Sequence, residues 1–259
     1  MQLILTEQRD DIGFITLNHP EKRNALSEAL VEALIAGLSA LQEQNVRVVV
    51  LRSRPGEKVW SAGHDVNELP ETQRDPLGWG DPLRQLVRAI QSFPAPVIAM
   101  IEGTVWGGAC ELALACDLIV ASPAATFALT PAKLGVPYNV SGMVTFLNAA
   151  NLHVMKEMAF TALPMSAERA ERLGMVNHVV PAAELESFTL DLARQVARNA
   201  PLSVSVMKEQ LRILSSARPM SPEGFERVQG LRRVVYDSED YQEGIRAFKE
   251  KRKPDFKGR

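Results

Sequence analysis

Twice in this chain an apolar stretch runs through small residues into the first turn of a helix: at Ser61-Ala62-Gly63-His64-Asp65, and from Glu102 to Glu111 as Glu-Gly-Thr-Val-Trp-Gly-Gly-Ala-Cys-Glu. Strands that feed helices in this way belong to crossover architecture, in which parallel strands are joined by helices packed on the sheet. The same two junctions aim backbone N–H groups that lack an intrahelical acceptor at one point. Two such donors make an oxyanion hole.

The second junction is the clearer of the two. After the apolar run Pro96 to Ile101 come Gly103, Gly107 and Gly108, then the Ala/Leu-rich stretch Ala109 to Ala115, which reads as a buried helix. Gly108 sits at the helix start, where its N–H is free and the helix dipole favours negative charge. At the first junction, Val46 to Ser53 is a strongly apolar strand, Arg54 to Glu57 a Pro/Gly turn and Trp60 to Gly63 a short extended piece. His64 follows, and its backbone N–H, not its imidazole, is the second expected donor.

The composition narrows the class of partner. A chain of 259 residues buries a large core, and a net charge of −2 gives no electrostatic basis for binding nucleic acid or an anionic membrane. Cys110 and Cys116 are the only cysteines, a spacing that suits neither a disulfide framework nor a zinc site, so both read as small core residues. No charged-then-apolar leader and no bilayer-length apolar run is present, and the expected location is cytoplasmic.

Along the chain, Gln2 to Glu7 and Gly13 to Leu17 read as paired strands around Asp10-Asp11, and Ser27 to Gln44 as an amphipathic helix capped by Ser27. Pro70 to Pro82, with Pro76, Gly78 and Gly80 inside it, reads as a loop beside the site, before a helix from Leu83 to Ser92. Strands Val97 to Ile101, Leu118 to Ala121 and Thr126 to Ala128 alternate with helix. From Gly142 onward the pattern is mainly helical: Val154 to Thr161, Ala167 to Leu173, Leu185 to Arg198, Pro201 to Leu214, Pro222 to Tyr236 and Asp240 to Lys251.

Several pieces, in this order and spacing, resemble the crotonase superfamily, the enoyl-CoA hydratase/isomerase family. They are Pro20-Glu21-Lys22-Arg23-Asn24-Ala25-Leu26-Ser27, Ser61 to Asp65, Gly107-Gly108-Ala109-Cys110-Glu111-Leu112, Cys116-Asp117, and the tail Ser238-Glu239-Asp240 with Glu243-Gly244 and Phe248 to Lys253. The resemblance implies an α/β fold, a crotonase-like spiral of ββα units over residues 1–195 holding an acyl-CoA site, with a C-terminal helical trimerisation region over residues 196–259. It implies a homotrimer or a dimer of trimers. It also implies a coenzyme A thioester whose carbonyl oxygen lies between the amides of His64 and Gly108, with the coenzyme held around Lys22, Arg23, Ala25 and Ala62. Phe248 and Lys251 match tail residues that reach a neighbouring subunit's ligand.

One departure decides the chemistry. Hydratases of the family place one glutamate at the position of Glu111 and a second in a Pro-Glu-X-X-Leu-Gly motif, and the pair activates and protonates a water. Here that motif reads Thr130-Pro131-Ala132-Lys133-Leu134-Gly135, and no carboxylate occurs between Asp117 and Glu157. Decarboxylation of a malonyl-type thioester needs no base, because the carboxylate is itself the leaving group and the barrier is enolate formation, on which oxyanion donors act directly. The runs Arg74-Asp75-Pro76-Leu77, Asp81 to Gln85, Leu134 to Asn139 and Val235 to Gly244 look like the branch of the family that decarboxylates methylmalonyl-CoA or malonyl-CoA. The expected catalytic set is His64, Gly108, Tyr138, Thr130 and Glu111, with neither metal nor biotin.

Other readings stay open at this point. A hydratase or enoyl isomerase working through Glu111 alone is one, and a non-catalytic acyl-CoA- or RNA-binding relative is another. The residues also have structural readings: Gly107 and Gly108 for helix–strand packing, Glu111 as a first-turn acid on the dipole, Thr130 as a cap before Pro131, Tyr138 as a turn aromatic, Trp106 as a wall, and Asp117 as the end of a helix.

Overall fold

The computed structural model describes residues 2–70 and 74–259. Among these, strands β1 (Ile4–Arg9) and β2 (Ile12–Leu17) form a hairpin, followed by helix α1 (Glu28–Glu43), β3 (Val48–Ser53), β4 (Val59–Ser61) and α2 (Pro82–Ser92). Then come β5 (Val97–Ile101), β6 (Thr104–Trp106), α3 (Gly108–Ala115), β7 (Leu118–Ala121), β8 (Thr126–Ala128), α4 (Val140–Ala149) and α5 (Leu152–Thr161). The rest is β9 (Met165–Ser166), α6 (Ala167–Arg172), β10 (His178–Val179), α7 (Leu185–Ala197), α8 (Pro201–Ser216), α9 (Pro222–Tyr236) and α10 (Glu239–Lys249).

Two sheets result. The larger has the order β1-β2-β3-β5-β7-β10 and the smaller β4-β6-β8-β9. Beyond the antiparallel β1/β2 pair, the large sheet is parallel throughout. Each turn of the chain lays one strand in the large sheet, one in the small sheet, and then a helix across the gap, so β3-β4-α2 and β5-β6-α3 are successive turns of a spiral of ββα units. β3 and β5 are buried on both faces, as their unbroken apolar runs require. The indole of Trp60, wholly buried, donates to the Met100 carbonyl at 3.0 Å and ties the small sheet to the large one.

The main core lies between the sheets and α1–α3, while α7 covers the opposite face of the large sheet through Leu185, Ala193 and Ala197. The expected helices appear close to their read boundaries, and Ser27 caps α1 by accepting from the Leu30 N–H at 3.3 Å. Four elements fall outside the sequence reading: β6, which is only three residues long, the two-residue strands β9 and β10, and α4, whose start is fixed by Asn139.

The last helices turn back over the body. α10 crosses the short 3-10 turn Pro131–Leu134 so closely that a Cβ on Gly244 would lie 2.2 Å from the Leu134 carbonyl oxygen. Residues 71–73 of the expected loop lie outside the described residues; Asp75 to Gly80 is a run of turns. The C-terminal region holds both Asp75 and Pro70: Arg232 of α9 makes a two-pronged ion pair with Asp75 at 2.5 and 2.8 Å, and the Tyr241 hydroxyl donates to the Pro70 carbonyl at 2.7 Å.

Candidate active site

The two glycine junctions meet. Gly63 has φ of +85°, and a Cβ there would stand 2.3 Å from the Trp106 carbonyl oxygen and 2.8 Å from the Gly108 nitrogen. A Cβ on Gly108 would lie 3.4 Å from the His64 nitrogen. The amides of His64 and Gly108 are therefore neighbours, and among the described residues neither N–H donates to a protein acceptor. The pairing around them explains why. Leu26 N–H bonds Gly63 O at 2.8 Å and Asp65 N–H bonds Leu26 O at 3.4 Å, so the alternating pattern turns the His64 N–H away from that strand contact. Gly107, at φ +56°, bends the chain so that Gly108 begins α3, whose dipole adds to the field at this point.

The opposite edge of this junction is braced from below. Asn24, in the left-handed region at φ +50°, donates from its amide to the Trp60 carbonyl at 3.0 Å, and Ser61 Oγ donates to the Asn24 carbonyl at 2.7 Å. Ala62 N–H bonds the Arg23 carbonyl at 2.9 Å. The motif from Pro20 to Ser27 is thus a scaffold for the first amide as well as a wall of the site.

A cavity of about 460 Å³ opens over the two amides, within the range of small-molecule sites. Lys22, Arg23, Ala25, Ala62, His64, Gly108, Thr130, Tyr138 and Phe248 all line it. Glu111 does not, and Lys251 is not at its wall. Phe248 stands at the cavity of its own chain, where the crossing of α10 over the 131–134 turn brings it. Thr130 stands at the N-cap position of the 131–134 turn, where its carbonyl accepts the Lys133 N–H at 2.9 Å, but its side chain makes no capping hydrogen bond. Its Oγ1 lies 3.0 Å from where a Cβ on Gly107 would be, at the mouth of the amide pair. Trp106 lines the cavity as a wall, as expected.

The titratable groups are strongly biased. Glu111, in the first turn of α3, is 2% exposed, and burial pushes its carboxyl up to about 7 against the opposing pull of the Tyr138 hydroxyl and Arg84. The Tyr138 hydroxyl donates to Glu111 Oε2 at 2.5 Å, and burial together with the adjacent carboxylate keeps that phenol protonated far above the ordinary range. For His64, burial works against the charged form, but Asp81, whose Oδ2 is 2.8 Å from Nε2, raises the imidazole above its ordinary value.

Several residues at the site escaped the sequence reading. Asp81 is one: Asp81-Pro82 is a legible cap followed by a first-turn proline, and its Oδ1 accepts the Arg84 N–H at 3.2 Å, but nothing local shows that its other oxygen holds His64. Gly142 is another. Asn139 caps α4 by accepting its N–H at 2.7 Å, and a Cβ on Gly142 would strike the Tyr138 ring at 2.2 Å. Asp117 does more than end a helix, since it accepts the Val97 N–H at 2.7 Å and pairs with Lys208 of α8 at 2.7 Å. Cys110 and Cys116 are buried free thiols. Among the described residues no cluster of three His, Cys, Asp or Glu side chains is arranged to hold a metal, and no helix is long and apolar enough to cross a membrane.

A spiral of ββα units, with paired amides at one strand–helix junction and an acyl-sized cavity over them, defines the class: the chain belongs to the enoyl-CoA hydratase/isomerase family, whose pattern it matches over residues 7–259. Within that family it is 51% identical to methylmalonyl-CoA decarboxylase of Escherichia coli (strain K12), an alignment covering 95% of each chain. To 2,3-dehydroadipyl-CoA hydratase of the same organism it is 32% identical over the whole of both chains. A solved structure of methylmalonyl-CoA decarboxylase in complex with 2-nitronate-propionyl-CoA superposes with a TM-score of 0.98 at 49% identity, covering 100% of this chain and 99% of that one.

Proposed function

We propose that the protein is a carboxy-lyase that converts methylmalonyl-CoA, or malonyl-CoA, to propionyl-CoA or acetyl-CoA through a thioester enolate. The observation that carries this reading is the pair of adjacent, unbonded amides of His64 and Gly108, beside a site where the second hydratase glutamate is replaced by Thr130-Pro131. The thioester oxygen lies between the two N–H groups, each worth roughly 10²–10³ in rate as the enolate charge develops. The leaving carboxylate turns out of the thioester plane into the wall made by Thr130, Val136 and Tyr138, where apolar neighbours replace its hydration. Carbon–carbon cleavage then needs no base, and neither biotin nor metal enters the scheme.

Tyr138 positions the carboxylate and hands the proton to the enolate; its phenol stays neutral and so remains a donor. Glu111 supports Tyr138 from behind. Lys22, Arg23, Ala25 and Ala62 hold the coenzyme at the outer end of the cavity, with Lys133 beside them. Phe248 covers it, and Lys251 faces the coenzyme of an adjacent subunit. The apolar side chains that α8 and α9 leave exposed, Leu202, Val206, Leu211, Leu231 and Val234 among them, support a trimerisation role for residues 196–259 and a trimer or dimer of trimers. Two buried free thiols suit a cytoplasmic location.

Incubation of purified protein with methylmalonyl-CoA, followed by mass measurement of the thioester product, tests the reading. Propionyl-CoA is the expected product; its absence, or hydration of crotonyl-CoA in its place, overturns the assignment. Sedimentation velocity tests the assembly, and a monomer would contradict it.

A further inference from the structure

The hydrogen bond between Tyr138 and Glu111 joins two separate cavities. Tyr138 lines the acyl cavity, whereas Glu111 lines a second one, of about 250 Å³, enclosed by α2, α3, α4 and α8. Its inner wall carries Glu111 and Thr145, both buried, and its outer wall Arg212, Ser215 and Ser216, all exposed. The cavity therefore runs from the surface to the back of the carboxyl group. Gly142 preserves this junction, because a Cβ there would lie 2.2 Å from the Tyr138 ring and 3.1 Å from Glu111 Oε1.

We infer that the second cavity is the proton inlet of the enzyme: solvent recharges Glu111 from behind, Glu111 recharges Tyr138, and Tyr138 delivers the proton to the enolate. The inference rests on the decarboxylase reading above. In the step, the bond between C2 and the carboxylate breaks and its electron pair passes into the thioester enolate as CO₂ leaves. C2 then takes the Tyr138 hydroxyl proton, the phenolic oxygen takes the proton of the Glu111 carboxyl, and the Glu111 carboxylate takes one from solvent. Each turnover thus consumes one solvent proton, which balances the loss of a carboxylate as neutral CO₂. Proton delivery by this path leaves the acyl cavity dry, so that the enolate meets no water from the front.

The charges facing Glu111 fit a group that must hold a proton and lose it in turn. From α2, Arg84 lowers its affinity for protons and Asp81 raises it; burial, the largest influence, raises it toward neutrality. Arg88 of α2 and Arg212 of α8 stand at the same cavity, α4 presents Ser141 and Thr145 without charge, and on α3 itself the neighbouring Cys110 thiol stays protonated.

Chemical rescue tests the route. Glu111→Ala should lower turnover on methylmalonyl-CoA about a hundredfold, the low end of general-acid contributions, and added formic acid should restore it in proportion to its concentration. Val144→Phe, which narrows the second cavity from α4, should abolish that rescue in the double variant while leaving propionyl-CoA binding unchanged. Equal rescue with and without Val144→Phe places the inlet at the front and overturns the inference, as does a Glu111→Ala enzyme as fast as the unmodified one. If Glu111→Ala does not fold, the isosteric Glu111→Gln decides. The unmodified enzyme should lose rate as pH rises through about 7, and this limb should vanish in Glu111→Gln; an unchanged limb is contrary evidence. A failure of the decarboxylase reading looks different, because the unmodified enzyme then makes no propionyl-CoA at any pH.

Discussion

The two walls of this site are made of different material. Around His64 and Gly108 the working atoms are main-chain amides, fixed by strand pairing, by the positive φ of Gly63 and Gly107, and by the start of α3. Around Glu111 and Tyr138 they are side-chain oxygens, held in a buried pocket by one short hydrogen bond and by the space that Gly142 leaves. The working atoms of the first wall do not titrate, so the donors themselves are the same at any pH in which the fold persists. The second is two ionisable groups removed from water, and its state depends on proton activity. Stabilising the enolate and supplying its proton are thus assigned to different kinds of structure, and they should fail in different ways.

The main-chain wall cannot be altered by deleting a side chain, but it can be altered by adding a methyl group. Gly63→Ala places a Cβ 2.3 Å from the Trp106 carbonyl and 2.8 Å from the Gly108 nitrogen, in a backbone conformation that L-residues rarely adopt. Displacing even one of the two amides should cut kcat by about 10²–10³, with the fall independent of pH. Steady-state decarboxylation across pH checks this; a Gly63→Ala enzyme with near-normal turnover would break the claim that the amides carry the chemistry.

The side-chain wall should announce itself in stability. The folded-state pKa of Glu111 is raised from 4.5 to about 7, so its protonated form is the one the fold favours. Its contribution is present at low pH and is lost as pH rises from its unfolded value through about 7. That loss amounts to about 3 kcal/mol, at 1.36 kcal/mol per unit. Glu111→Gln keeps an acceptor for the Tyr138 hydroxyl and removes the titration. The variant should therefore gain Tm over the unmodified protein as pH is raised toward 8, and the difference should level off above that; a pH-independent difference would show that Glu111 is solvated in the native state. Tyr138→Phe affects the same wall by removing a donor, and should lower kcat about 10²-fold while a propionyl thioester still binds. Because Glu111 reaches the enolate only through that hydroxyl, the alkaline limb of the rate profile should vanish in Tyr138→Phe as it does in Glu111→Gln.

The same division governs what could be read from the sequence. Glycine after a strand and before a helix is a local signal, so Gly63, Gly107 and Gly108 pointed to the amide pair with no knowledge of what they pack against. β3, β5, β7 and the long helices were legible for the same reason, through apolar period and caps. Short strands such as β9 and β10 carry too few residues for any periodicity, and they exist because neighbours pair with them. Contacts between distant segments were equally hidden. Asp81 reads as a helix cap, yet one of its oxygens is on His64, and Phe248 is picked out by resemblance to the family's tail alone, since nothing local shows that it lines its own chain's cavity. The missing second glutamate could be read, since an absent residue type needs no geometry; that Glu111 would turn its back on the acyl cavity could not.

A third region, the turns beside the acyl cavity, should influence either wall less. Asp75, beside Leu77 at the cavity, is held by Arg232, which is almost fully buried, whereas Asp75 is about a quarter exposed with a side-chain accessibility of 27%. Removing one partner of a fully buried pair costs about 3–5 kcal/mol, and partial solvation of Asp75 reduces that. Arg232→Met keeps the length of the side chain and its packing under α9 but releases the Asp75 carboxylate. The turns from Asp75 to Gly80 should loosen over the cavity without moving the amides or the Tyr138–Glu111 pair, so substrate is held less well while bound substrate reacts as before. We expect KM to rise about fivefold, the equivalent of roughly 1 kcal/mol, with kcat and its pH profile unchanged. A fall in kcat instead would mean that the C-terminal helices hold the reacting groups as well as the roof above them.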